Sequence, residues 1–210
     1  MTEVLFQHRF QASRAGVSEV PTLLLLHGTG GNEDDMMFLR DYFGENYNYL
    51  SPRGQVLENG MPRFFRRLRE GVFDQEDLKF RTAQLREFVL NTASIYGFDK
   101  KKIVAVGYSN GANIAGSFLL SGFLEITHAV LMHPMLPFQP RPRPVLHGKK
   151  VLITAGENDP IIPVENTRAL ENLLKESGAE TTMFWHQSGH SLTQEEVEKA
   201  ASFVHALEFK

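Results

Sequence analysis

Ser109 stands between Gly107 and Gly111 in the run Gly-Tyr-Ser-Asn-Gly. An apolar stretch, "KIVAVG" at 102–107, leads straight into it, and a helix of small residues follows. A sharp strand-to-helix turn pushes its apex side chain outward, and the crowding is tolerable only where the neighbouring positions lack bulk. The G-x-S-x-G pattern meets that condition. The start of the following helix also offers free N–H groups and a partial positive charge to a developing oxyanion. Five residues alone fit a plain turn equally well, so the surrounding chain carries the reading.

A serine hydroxyl attacks only if a base takes its proton, and the base must be held in one tautomer. Two later strand ends supply candidates. In "ITAGENDPIIP" (153–163), Asp159 follows an apolar strand on a loop locked by Pro160. In "FWHQSGHSLTQEE" (184–196), His190 follows Gly189 and precedes a helix start. Asp159 lies 50 residues after Ser109, and His190 a further 31. Each interval accommodates about one strand–helix unit plus a loop. Asp-Pro by itself is a common turn start. His186 is the rival base, set aside because it directly extends a strand. The glycine-rich loop of "LLLLHGTGGNEDD" (23–35) can aim a backbone N–H inward from Thr29, with Gly30 the second choice. The matching oxyanion donor is the N–H of Asn110.

Positioning these groups requires several buried strands. "TLLLLHG" (22–28), "KIVAVG", "HAVLM" (128–132) and "KVLITAG" (150–156) are apolar nearly throughout, as strands covered on both faces are. Tyr47–Leu50 and Thr181–Trp185 are weaker candidates. Val4, Phe6, His8 and Phe10 alternate as an edge strand would. Between them, Leu85, Phe88, Val89, Thr92, Ile95 and Tyr96 share a helical face, as do Leu170, Leu173, Leu174 and Ser177. Met36, Leu39 and Phe43 suggest a short helix, and Thr193 with Glu196 forms a capping-box signature for the last one. The alternation predicts an α/β fold: one domain over 1–210, a mostly parallel sheet of about seven strands, and helices on both faces. The proline-rich stretch 133–144 reads as an extended surface connection, and no insertion is long enough for a large helical cap.

The 210 residues carry a net charge of −3 that is not gathered in a tail, which gives no reason to expect nucleic acid as a partner. The absence of cysteine excludes disulfides, thiolate zinc sites and a cysteine nucleophile. No apolar run approaches a membrane span and the N-terminus lacks a signal-peptide pattern, so a cytoplasmic protein is expected.

The set HGTGG, GYSNG, ENDPIIP and SGH resembles the α/β-hydrolase superfamily, and within it the carboxylesterase/phospholipase family that includes acyl-protein thioesterases. "SPRGQVLENGMPRFFRR" (51–67) is similar to the small bacterial carboxylesterases of the MhqD type. The resemblance runs from about residue 20 to the C-terminus. It implies a Ser109–Asp159–His190 triad, oxyanion donors at Thr29 and Asn110, no cofactor, and a small-molecule ester or thioester substrate. Acyl transfer to another nucleophile and a non-catalytic binding protein of the same fold are the alternatives.

Other residues carry less. Arg63 belongs to an arginine run that fits a solvated face, but Arg53 or Arg63 could anchor an anionic substrate. Met36, Phe64 and Phe65 fit either an acyl pocket or the core. His133 follows the strand after the elbow helix and is expected at the pocket rim. None of the remaining histidines pairs with acids at metal-ligand spacing, so no metal is expected. An exposed edge strand or the Phe-rich segment 61–73 could make a homodimer.

Overall fold

The computed structural model describes residues 6–209. In chain order the elements are β1 (His8–Gln11), β2 (Thr22–Leu26), a 3₁₀ turn (Met37–Leu39) running into α1 (Arg40–Phe43), β3 (Asn48–Pro52), β4 (Val56–Glu58), β5 (Met61–Arg63), β6 (Arg67–Arg69), β7 (Val72–Phe73) and α2 (Gln75–Tyr96). Then come β8 (Ile103–Tyr108), α3 (Asn110–Leu120), β9 (Ile126–Met132), β10 (Lys150–Gly156), α4 (Val164–Glu176), β11 (Glu180–His186) and α5 (Gln194–His205).

Seven strands form one sheet in the order β1-β3-β2-β8-β9-β10-β11. Only β1, against β3, runs antiparallel. This is the expected α/β-hydrolase architecture. Residue alternation explains why the four leucines of β2 are all buried. Leu24 and Leu26 enter the core under α2, α3 and α4. Leu23 and Leu25 enter the opposite core, beneath α1 and α5. Each strand face therefore needs its own apolar set. Burying one such leucine contributes about 1.5–3 kcal/mol.

Helix ends follow local chemistry. Asp74 caps α2 by accepting the Asp77 N–H, and Gly97 ends it in a left-handed conformation. Thr193 and Glu196 form the anticipated capping box on α5. The edge-strand expectation holds from His8 onward; Phe6 is buried but precedes the strand, and Val4 lies outside the described residues.

Two expectations need correction, and one feature was not anticipated. Ile95 is half exposed, because α2 turns that side to solvent. The proline-rich stretch is not wholly superficial: Met135 and Phe138 are buried. Segment 56–73 contains two hairpins, β4–β5 and β6–β7. Asn59–Gly60, both at positive φ, turns the first, and that dipeptide is the sequence signal that marks such a turn.

Candidate active site

Ser109 sits between the end of β8 and the start of α3 with φ +51° and ψ −111°. Such a backbone costs a non-glycine residue about 1–3 kcal/mol. The turn is tight enough that a Cβ on Gly111 would lie 2.0 Å from the Leu26 carbonyl oxygen, and one on Gly107 would lie 2.5 Å from the Gly111 backbone. The two glycines are therefore steric requirements. The Ser109 N–H donates to the Met132 carbonyl at 2.8 Å, tying the turn to β9.

His190 Nε2 lies 2.9 Å from Ser109 Oγ. His190 Nδ1 lies 2.7 Å from Asp159 Oδ2. A carboxylate oxygen only accepts, so Nδ1 carries the hydrogen and the Nε2 lone pair faces the serine. Asp159 Oδ1 accepts the N–H groups of Ile161 at 2.8 Å and Ile162 at 3.1 Å. Burial pushes the Asp159 carboxyl up, but His190, the Ile161 N–H and His133 together hold it below its ordinary value. The His190 loop packs down on the end of β10, where a Cβ on Gly156 would meet the Ser188 carbonyl oxygen at 2.3 Å. Tyr108 fixes the loop further by donating its hydroxyl to the His190 carbonyl at 2.7 Å.

The glycine-rich loop after β2 brings Thr29 to the same cavity as Ser109. His27 Nε2 accepts the Gly54 N–H at 2.9 Å, and its Nδ1 faces the Gly28 carbonyl at 2.6 Å. That is the neutral imidazole, and burial holds its pKa down. Arg63 Nη1 donates to Thr29 Oγ1 at 2.6 Å. Gly30 donates its N–H to Pro62 in β5 at 2.9 Å, which occupies the second-choice oxyanion donor. Asn110 is the first residue of α3, where a backbone N–H has no intrahelical acceptor. Its side-chain Oδ1 accepts the Phe64 N–H at 2.7 Å and so pins the hairpin segment to the elbow.

Thr29, Ser109, Asn110 and His190 share one cavity of about 270 Å³. Arg63, Arg67 and Phe73 from the hairpins wall one side, and Met135, Ile161 and Ile162 contribute apolar surface. The sequence reading passed over these apolar residues. Ile161 and Ile162 were readable from their place beside Asp159, whereas Met135 lies in the loop after β9.

The structure brings Arg63 to the cavity but not the other five substrate-binding candidates. Phe64 and Phe65 are buried in the core. Met36 is buried under the other face, beside the glycine-rich loop. His133 is fully buried behind Asp159 instead of lying at a rim, because its Nδ1 turns to the Asp159 carboxylate at 3.1 Å. Arg53 is committed to Glu33, with Nε and Nη2 each on one carboxylate oxygen. Glu33 is buried and Arg53 about one-third exposed. Replacing Arg53 by alanine should therefore lower stability by about 1–2 kcal/mol, the buried-pair cost discounted for solvent screening. Denaturant titration would measure this, and KM should stay unchanged.

His133 and His186 also converge on Glu196, a cluster that sequence spacing did not reveal. Among the described residues, no helix is long and apolar enough to cross a membrane.

Comparison with known proteins agrees with this architecture. The phospholipase/carboxylesterase family model matches residues 10–208. The crystal structure of a Bacillus cereus carboxylesterase superposes with a TM-score of 0.92 at 49% identity, covering 96% of this chain and 94% of that one. MhqD of Bacillus subtilis is 47% identical over 178 residues, 85% of this chain and 89% of its own. Acyl-protein thioesterase 1 of Candida albicans is 25% identical over 90% of this chain and 93% of its own. With the fold, the matched span and these relatives in agreement, the chain belongs to the phospholipase/carboxylesterase family of α/β-hydrolases.

Proposed function

We propose that the protein is a serine carboxylesterase that hydrolyses esters of small or medium acyl groups through an acyl-enzyme on Ser109. The observation that carries this reading is the continuous line Ser109 Oγ–His190–Asp159, with contacts of 2.9 and 2.7 Å, opening into the cavity that Thr29 and Asn110 line. His190 Nε2 takes the Ser109 proton as Oγ attacks the ester carbonyl. The backbone N–H groups of Thr29 and Asn110 receive the developing oxyanion. The His190 imidazolium, oriented by Asp159, then protonates the departing alkoxide. Water enters, gives its proton to His190 and attacks the acyl-enzyme. The acid leaves, and Ser109 recovers its proton.

The cavity size supports a short or medium acyl chain. Thioesters are a second substrate class, supported by the relative that bears an acyl-protein thioesterase name. The same triad serves both, since only the leaving group differs. The test is intact mass after incubation with a fluorophosphonate, followed by peptide mapping. One adduct on Ser109 is expected. A folded, unlabelled protein would overturn the assignment in favour of a non-catalytic binding role.

A further inference from the structure

The contacts continue past Asp159. His133 follows β9 with a left-handed backbone, φ +52°, and is fully buried. Its Nδ1 lies 3.1 Å from Asp159 Oδ2, the oxygen that also faces His190. Its Nε2 lies 3.0 Å from Glu196 Oε1, off the straight line of a hydrogen bond. Glu196 is fully buried as well. Its carboxylate accepts the Thr154 hydroxyl at 2.6 Å and the Thr193 N–H at 2.8 Å. A glutamate needed only as a helix cap works at the surface, so burial against a histidine calls for another cause.

Proton positions follow from the acceptors. His133 lies between two carboxylates, neither of which can donate when ionised. A neutral imidazole has one N–H, so its other nitrogen would press a lone pair against a buried anion. With hydrogen on both nitrogens, both contacts are attractive.

We propose that His133 and Glu196 are a buried positioning pair for the triad: His133, protonated on both ring nitrogens, holds the Asp159 oxygen that also faces His190, and Glu196 holds His133. This rests on the esterase reading for its kinetic consequence, though not for its proton count. Two carboxylates and one imidazolium leave a single negative charge for His190 to meet when it becomes cationic. Without His133, two buried negative charges would face each other's field, and one of them would take up a proton. Burial pulls His133 down, but Glu196 and Asp159 outweigh it and raise its pKa, while Glu196 is drawn down to about 2.

The other groups around His133 are consistent with this count. Its backbone N–H donates to the Thr154 carbonyl at 2.8 Å. The Tyr108, His186 and His190 rings lie edge-on at 5.8, 5.3 and 5.1 Å. His186 Nε2 is 3.2 Å from Glu196 Oε2. His186 Nδ1 accepts the Ser188 N–H at 3.2 Å, so its hydrogen is on Nε2, facing the carboxylate. A metal ion held by His133, His186 and Glu196 would require a lone pair on that nitrogen, so the protonated pair is favoured over a metal.

The experiment is ¹⁵N-histidine NMR of the whole protein, with pH–rate profiles of the wild type, His133→Gln and Glu196→Gln. One ring should stay protonated on both nitrogens at pH 8, and its signal should vanish in His133→Gln. Removing the His133 charge makes His190 easier to protonate, so the acid limb of kcat should move up by about half a pH unit or more. In Glu196→Gln the limb should not move up. In both variants kcat should fall by about tenfold with KM changed less than about twofold. If His133→Gln does not fold, the wild-type ring signal and Glu196→Gln decide. A neutral His133 at pH 8, lower stability without movement of the limb, or one equivalent of tightly bound metal would each overturn the proposal. Failure of the esterase reading shows separately, as the absence of a fluorophosphonate adduct on a protein that still carries the doubly protonated ring.

Discussion

Ser109→Ala should abolish ester turnover while leaving the chain folded. In the proposed mechanism the Ser109 hydroxyl forms the acyl bond, and His190 Nε2 faces it at 2.9 Å. Loss of a nucleophile of this kind lowers kcat by about 10⁴-fold or more. Alanine keeps the Cβ and therefore the backbone strain at φ +51°, so circular dichroism and thermal unfolding should be close to wild type. Substrate binding should survive, because every other residue lining the cavity is unchanged. Turnover retained in a preparation free of contaminating esterase would remove Ser109 from the mechanism. His190→Ala would serve as the companion measurement, since a real triad fails almost as completely when the base is lost.

Gly111→Ala should be the most damaging single-methyl change near the site. The added Cβ would lie 2.0 Å from the Leu26 carbonyl oxygen and 2.4 Å from its carbon. Both atoms are backbone, part of the interior strand β2, and cannot swing aside as a side chain could. Overpacking usually costs 1–3 kcal/mol, and a clash between two rigid backbones belongs at or above the upper end, about 3 kcal/mol. For a chain of this size that is a drop of roughly 6–12 °C in Tm. Gly189→Ala is the control, because its Cβ would find Pro160 at 3.6 Å, an ordinary contact. Equal thermal shifts in the two variants would show that β2 and α3 are not packed as described.

The glycines that flank Ser109 also show what the sequence could reveal. Gly107 and Gly111 were legible because a turn with bulk at either position cannot exist, so the constraint is local. The convergence of Asp159 and His190 on Ser109 was legible because parallel strands deliver their following loops to one edge of a sheet. The Ser–Asp–His order then left few ways to assemble them. The hairpin wall was missed because its strands are only two or three residues long, too short for alternation to stand out. Asn59–Gly60 was the available signal there. Phe64 and Phe65 were ambiguous because an apolar side chain serves a core and an acyl pocket equally well. The His133–Glu196 contact spans more than sixty residues and joins a loop to a helix cap. No local pattern encodes such a meeting. The capping box even concealed it, by giving Glu196 a sufficient role of its own.

The unusual backbone at Ser109 bears on how such a chain can change under selection. Folded proteins hold only about 5–15 kcal/mol in reserve, so a residue that costs about 1–3 kcal/mol is a standing load on that margin. Glycine would relieve much of the load at this position, since it tolerates positive φ. A population selected for heat tolerance alone would therefore drift toward glycine at 109 and go silent. On the proposed esterase reading, serine persists there only while its chemistry is needed. Lineages that keep it must find compensating stability elsewhere, in the packed leucines of β2 or the caps of α2 and α5.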